Sequence, residues 1–129
     1  MSTAPTVLFG LVPLVRAVAR STTTATATTV TADDSGTLFV NLSTSTHRYT
    51  LPTVALSKGK CWLFMQCANA TMYVTGGTAD VMMADGTTLN DEVVYSASGH
   101  MIGSAVLIIG DGTYYYGINI GGTTVTGTG

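Results

Sequence analysis

Short runs rich in β-branched and aromatic residues follow one another along most of this 129-residue chain, and turn signals separate them. These signals include Asp33–Gly36, Lys58–Lys60 and the Asp-Gly pairs that begin at Asp85 and Asp111. Asp-Gly between apolar runs is a strong hairpin signal. No window after the N-terminal segment has a helical period, and no repeat of solenoid length is evident. The pattern predicts an all-β fold, a compact antiparallel sandwich or small barrel.

The run Cys61–Cys67 is apolar at both odd and even positions, which is typical of a strand buried on both faces. We expect it at the centre of the core, with Thr71–Val74 as its neighbour in the sheet. In the last strand, alternation assigns Tyr114 and Tyr116 to the core and Tyr115 to a subunit contact. A sugar-stacking platform formed by the three tyrosines is the alternative.

The two ends of the chain differ in composition from its middle. We divide the chain into an extended N-terminal arm, 1–32, a β domain, 33–120, and a C-terminal tail, 121–129, rich in Gly and Thr. The apolar stretch Thr6–Val15 has the length of a signal-peptide core, but it lacks a basic segment before it and is followed by Arg16. It is also too short to cross a membrane. We expect both ends to act as binding arms.

Charged residues make up only 9% of the chain, against about 25% in an average soluble domain. A protein that stays solitary in solution needs charge for solubility, so partners are expected to cover much of this exterior. The five basic residues are scattered, and the net charge is −2, which argues against binding to nucleic acid. Self-association and assembly with other subunits are the expected behaviour.

The sequence offers no recognisable site for chemistry. No nucleophile-elbow motif or phosphate-binding loop is present, and the two histidines, His47 and His100, fit no common metal-ligand spacing. Cys61 and Cys67 would lie roughly 20 Å apart along one strand, too far to form a disulfide there. We therefore expect no catalytic residue, no cofactor, no metal and no enzymatic activity, and synthesis in a reducing cytoplasm.

The order of several short motifs resembles small virion structural proteins of tailed bacteriophages, in particular head decoration (cement) proteins. The motifs are Thr29–Gly36, Tyr49–Pro52, Lys58–Lys60 and Ile109–Tyr114, and the resemblance covers roughly residues 29–120. It implies homotrimers or dimers, with trimers favoured, on the outer surface of the phage head. There they would bridge major capsid proteins through their arms and stabilise the shell.

The expected protein interface lies mostly in the apolar N-terminal arm, with one residue in the last strand and one in the tail. The predicted interface residues are Val7, Leu8, Phe9, Leu11, Val12, Leu14, Val15, Tyr115 and Val125. The alternative function is a tail or fibre component that binds a receptor or carbohydrate, for which Tyr115 and Asp85 are the candidates. The expected partners are further copies of the chain and the major capsid protein, with no membrane and no nucleic acid.

Overall fold

The computed structural model of the chain describes residues 15–77, 81–83, 89–96, 102–121 and 126–128. Most of these residues lie in strands, as the sequence predicts, and two short 3-10 turns cover Ala32–Asp34 and Val54–Leu56. The strands are β1 (Ala17–Arg20), β2 (Ala27–Thr29), β3 (Thr37–Asn41), β4 (His47–Thr50), β5 (Cys61–Gln66), β6 (Met72–Thr75), β7 (Met82–Met83), β8 (Leu89–Asn90), β9 (Glu92–Tyr95), β10 (Ala105–Gly110), β11 (Tyr115–Gly121) and β12 (Thr126–Thr128).

The first six strands alternate between two sheets. One sheet has seven strands in the order β1-β3-β5-β10-β11-β7-β8, and the other has five in the order β12-β9-β6-β4-β2. Each of these six strands pairs in parallel with the strand two elements away, so β1, β3 and β5 stack in one sheet and β2, β4 and β6 in the other. The N-terminal half is therefore three successive coils of a short parallel β-solenoid.

The predicted turn at Asp33–Gly36 is present, but it connects the two sheets and does not form a hairpin. The Asp34 carboxylate accepts hydrogen bonds from the backbone N–H of Thr31, at 2.9 Å, and from its hydroxyl, at 3.0 Å. This tight turn carries the chain from β2 in one sheet to β3 in the other, where a hairpin turn would return it to the same sheet. The coils also differ in length. Hydrogen bonds between side chains link Ser21 to Asn41 and Asn41 to Gln66 in successive coils, and these pairs are separated by 20 and 25 residues.

The C-terminal half is mainly antiparallel, as predicted. β10 pairs antiparallel with both β5 and β11, and β9 does so with β6 and β12. The prediction of an entirely antiparallel fold is wrong for the first half and for β7, which pairs in parallel with β11. The described strands form two open sheets, not a closed barrel. Likewise, β6 is not a neighbour of β5, because it lies in the other sheet between β4 and β9.

Side chains from the two sheets meet in one core. The rings of Phe39 and Phe64, from the seven-stranded sheet, stack at 5.2 Å, and the Tyr49 ring from the five-stranded sheet packs against them at 5.5 Å and 5.2 Å. The core cluster comprises Val30, Phe39, Tyr49, Leu51, Trp62, Phe64, Met72, Val74, Met82, Val93, Tyr95, Val106, Ile108 and Tyr115. Burial of these large side chains is the main stabilising contribution to the fold.

The assignment of residues 1–32 to an arm differs from the structure over its second half. β1 pairs with β3, and β2 pairs with β4, so both belong to the sheets of the β domain. In the predicted C-terminal tail, β12 pairs antiparallel with β9. Residues 1–14 and 122–125 lie outside the described residues.

Candidate interaction surfaces

The outward-facing side of the seven-stranded sheet is apolar over five adjacent strands. Strand register places Val18, Leu38, Leu63, Leu107 and Ile118 in one row across β1, β3, β5, β10 and β11. We call the surface formed by this row and its neighbours the outer face. Its residues are Val18, Leu38, Val40, Cys61, Leu63, Met65, Ala105, Leu107, Ile109, Tyr116, Ile118 and Ile120.

Exposure confirms that the outer face lies outside the core. Val18, Ile118 and Ile120 are 60%, 48% and 42% exposed. Leu107 is only 6% exposed, but it lies between Leu63 and Ile118 in the row of the outer face and is not part of the core cluster. Monomeric proteins rarely expose contiguous apolar patches of this kind unless they bind something. The outer face is therefore a candidate binding surface among the described residues.

The prediction that β5 is buried on both faces fails in the single chain for the same reason. Trp62 and Phe64 point into the core and are fully buried, whereas Cys61, Leu63 and Met65 are only half-buried on the outer face. β5 is apolar at both odd and even positions, but residues of its own chain bury only one of its two faces. The same double apolar pattern is typical of a strand that its own chain covers on both faces, so the sequence pattern alone does not indicate which face stays open.

The five-stranded sheet presents a different outward side. There Arg48 on β4 forms an ion pair with Glu92 on β9, and its guanidinium lies 4.3 Å from the centre of the Tyr73 ring on β6. Thr50 and Thr75 occupy neighbouring positions of the same side. This polar side suits contact with water. The outward sides of the two sheets therefore differ, since that of the seven-stranded sheet is apolar.

The charges nearest the outer face lie at its two opposite edges. Arg16 and Arg20, both exposed, flank Val18 at the β1 edge and share its parity. Near the β11 edge, the Oδ2 of Asp111 accepts a hydrogen bond from the Tyr116 hydroxyl at 2.7 Å. Its Oδ1 accepts from the backbone N–H groups of Thr113 and Tyr114 at 2.8 Å and 2.7 Å. These hydrogen bonds, with that from Tyr114 foremost, lower the pKa of Asp111, so it is ionised at neutral pH.

A second candidate surface is formed by the open edges of both sheets at the N-terminal end of the solenoid. β1 pairs only with β3, and β2 only with β4, within the described part of the chain. Between the two edges lies a cavity of about 70 Å³, which is lined by Ala19, Arg20, Ser21, Thr28, Phe39 and Tyr49. Unpaired edge strands present free backbone donors and acceptors to an added strand.

A buried polar ladder runs through the coils beside this end. The Nδ2 of Asn41 donates to the Oε1 of Gln66 at 2.8 Å, and the Nε2 of Gln66 donates to the carbonyl of Ala70 at 2.5 Å. Ser21 donates from its hydroxyl to the Oδ1 of Asn41 at 3.3 Å and accepts from the backbone N–H of Leu42. Asn41 and Gln66 are fully buried, so these bonds determine the register of the coils.

The structure brings together no metal-ligating constellation among the residues it describes. No group of three or more His, Cys, Asp or Glu side chains in that part of the chain is placed to hold a metal ion. His47 is fully buried in β4, where its ring stacks on Tyr49 at 4.3 Å, and burial lowers its pKa. His100 lies outside the described residues, and no helix within them is long and apolar enough to cross a membrane.

The predicted interface residues have different outcomes. Tyr115 is fully buried, and its hydroxyl donates to the carbonyl of Pro52, so its assignment to a subunit contact is wrong. The parity is reversed: Tyr114 and Tyr116 are half-buried at the surface. Val15 is half-buried beside β1. The other predicted interface residues, Val7, Leu8, Phe9, Leu11, Val12, Leu14 and Val125, lie outside the described residues, as does Asp85.

Comparison with known proteins finds no matching family model, no matching curated protein and no matching solved structure.

Proposed function

We propose that this chain is a structural protein of a bacteriophage virion, a capsid decoration or cement protein that binds the outer surface of the head and bridges major capsid proteins. The observation that carries this proposal is the pair of open sheet edges, β1 and β2, with a cavity between them that has Phe39 and Tyr49 in its wall. An extended segment of a capsid subunit would add a strand to one edge and insert an apolar side chain into the cavity.

Composition supports a role in assembly. The chain has few charges for its size, and its seven-stranded sheet exposes an apolar face, both of which suit a protein whose surface is covered in a larger particle. Many copies, each contributing weak contacts, would stiffen a shell through multivalency. Such a protein is synthesised in the cytoplasm of the host bacterium and acts without a cofactor.

A tail or fibre component that binds a receptor or carbohydrate is the second candidate. The observation in its favour is the β10–β11 turn, where the half-buried rings of Tyr114 and Tyr116 lie beside the ionised Asp111. Tyrosine rings next to a carboxylate are suited to stacking on and hydrogen bonding to a sugar. Copy number separates the two functions, because a cement protein is present in hundreds of copies per particle and a fibre tip in a handful.

The first experiment is therefore quantitative gel densitometry of purified virions that contain the protein. The second measures binding of the purified full chain to heads that lack it, using Ala19→Lys to block the cavity between the edges. Ala19 is exposed, so the variant is expected to fold and to lose at least about tenfold in affinity for the head. Ala55→Lys, at an exposed position in the turn Val54–Leu56, is the matched control. Unchanged binding of Ala19→Lys, or a handful of copies per virion, contradicts the proposal.

A further inference from the structure

We propose that two copies of this chain form a dimer by packing their outer faces against each other, with the twofold axis parallel to the strands. This inference goes beyond the proposed function and does not depend on which particle the protein belongs to. It commits the outer face to a second copy of the same chain. The resemblance to cement proteins favours trimers, whereas a face-to-face contact of one surface with itself closes as a dimer.

The size of the outer face fits an interface between two copies. Five strands spaced about 4.8 Å apart span about 24 Å, and their four to seven residues span about 18 Å on average. Two such faces together would bury about 900 Å² before side-chain corrugation is counted, close to the roughly 1,000 Å² expected of a specific interface. Sheets that pack face to face lie about 10 Å apart, with strands aligned within about 30°.

The chemistry of the face also suits a copy of itself. No charged residue lies among the twelve outer-face residues, and Arg16 and Arg20, which share the parity of Val18, are exposed at the β1 margin of this face. An apolar surface would therefore cover the twelve residues without burying an unpaired charge. Three of the most exposed large apolar side chains of the described chain, Val18, Ile118 and Ile120, belong to this face. Because Val18 and Ile118 lie at opposite ends of one row, rotation about the strand direction brings each of them over the other in the second copy.

The charges at the edges select the orientation of the axis. Arg16 lies in the row of Cys61, Ile109 and Tyr116, because its N–H bonds to Gly36, which in turn bonds to Cys61. A twofold axis parallel to the strands and passing over β5 sets β1 of one copy against β11 of the other. It thereby places Arg16 opposite the Tyr116–Asp111 pair, with opposite charges facing each other.

The other face-to-face arrangement has its axis perpendicular to the strands. It would set the β1 edge against itself and bring Arg16 of one copy over Arg20 of the other. Like charges placed directly opposite each other are unfavourable, and nothing on β1 offers them a carboxylate. Electrostatics therefore favours the axis parallel to the strands.

The dimer is tested by sedimentation velocity on the purified full chain and on variants with lysine on the outer face. Wild type is expected to sediment at twice the 13.3 kDa chain mass. Val18→Lys and Ile118→Lys replace exposed side chains, so both should fold, and each should weaken dimerisation at least about tenfold. Leu56→Lys is the matched control, because Leu56 is 61% exposed but lies outside both sheets, and its dimer should be unchanged.

The axis is tested by cross-linking wild type with a short bismaleimide. β5 is the middle strand of the outer face, so rotation about the strand direction brings Cys61 of one copy near Cys61 of the other. The axis perpendicular to the strands would instead place Cys61 of one copy over Met65 of the other. The two Cys61 thiols would then be far apart. A cross-linked dimer that persists in Cys67→Ser and disappears in Cys61→Ser supports the proposed axis.

Several results would overturn the inference. A monomer at every concentration would show that another segment, such as the apolar residues 1–14, or no partner at all covers the face. A trimer, or a dimer that neither lysine variant weakens, would place self-association elsewhere. A dimer that does not cross-link through Cys61 would refute the axis. None of these results depends on binding to phage heads. They would overturn the dimer without contradicting the proposed function, which the copy number and the Ala19→Lys variant test.

Discussion

The Nε2 of His47 lies 2.7 Å from the Oγ1 of Thr28, and this hydrogen bond ties the edge strand β2 to the buried side of β4. The other ring nitrogen, Nδ1, is buried and has no hydrogen-bond partner among the described residues. A protonated His47 would therefore carry a second N–H without an acceptor, next to Tyr49 and inside the core. The open edge of the five-stranded sheet is thus held by a group that depends on pH.

The first prediction concerns pH. Burial lowers the pKa of His47 below its ordinary value of 6.5, so the unfolded chain binds this proton more tightly than the folded chain. The free energy of unfolding should therefore fall as the pH decreases below about 6.5, and level off once the folded-state pKa is passed. Urea denaturation between pH 7.5 and pH 5 measures this, and His47→Phe should flatten the dependence.

His100→Gln controls for the second histidine and should leave the pH dependence in place. Asp111 acts in a separate range, because its pKa is lowered from 3.8 and its contribution is lost only at more acidic pH. An equally steep dependence in His47→Phe would show that another group is responsible.

The second prediction concerns the polar ladder. Asn41→Ala removes the donor to Gln66 and leaves the Oε1 of Gln66 with one bond fewer in a fully buried position. The free energy of unfolding should fall by about 1–3 kcal/mol, as measured by urea denaturation. Asn69→Ala, at an exposed position, is the control and should change stability by less than about 0.5 kcal/mol. Equal effects of the two variants would contradict a stabilising ladder.

The third prediction concerns the close approach of β10 to the turn before β5. A Cβ added at Gly110 would lie 2.6 Å from the carbonyl oxygen of Ser57, which is backbone and cannot easily move away. Gly110→Ala should therefore lower the free energy of unfolding by at least about 2 kcal/mol. At Gly121 the nearest atom to an added Cβ is 3.7 Å away, so Gly121→Ala should fold normally. Thermal unfolding of both variants is the comparison, and a stable Gly110→Ala would argue against this packing.

The fourth prediction distinguishes the two faces of β5. Phe64 is fully buried between the sheets, so Phe64→Ala should cost about 3–5 kcal/mol of stability. Leu63, its neighbour on the outer face, is half-buried, and Leu63→Ala should cost the isolated chain less than about 2 kcal/mol while weakening the dimer. Urea denaturation at two protein concentrations separates the two effects. If Leu63→Ala lost more stability than Phe64→Ala at low protein concentration, the assignment of the two faces of β5 would be wrong.

Much of the strand content was predictable because it depends on local properties. Cys61–Gln66, Glu92–Tyr95 and Ala105–Gly110 are strands where β-branched and aromatic runs indicate them, and Gly59 has a positive φ in the predicted turn Lys58–Lys60. The parity of the last strand was not predictable in the same way. Tyr115 is buried because its ring meets Trp62 of the same sheet at 6.1 Å and its hydroxyl reaches Pro52, and both contacts join distant parts of the chain.

By itself, the sequence determined that this chain forms many short strands with few charges, since side-chain stiffness, alternation and turn chemistry act over a few residues. Only the tertiary structure decided that the first six strands run in parallel coils and that one sheet is left with an apolar outer face. The direction of a strand and the strands beside it depend on backbone pairing between distant residues such as Leu38 and Leu63. A local sequence pattern does not specify which residue becomes the pairing partner. For the same reason, the positions of β3 and β10 on either side of β5 decide that Cys61, Leu63 and Met65 lie on the outer face and not in the core.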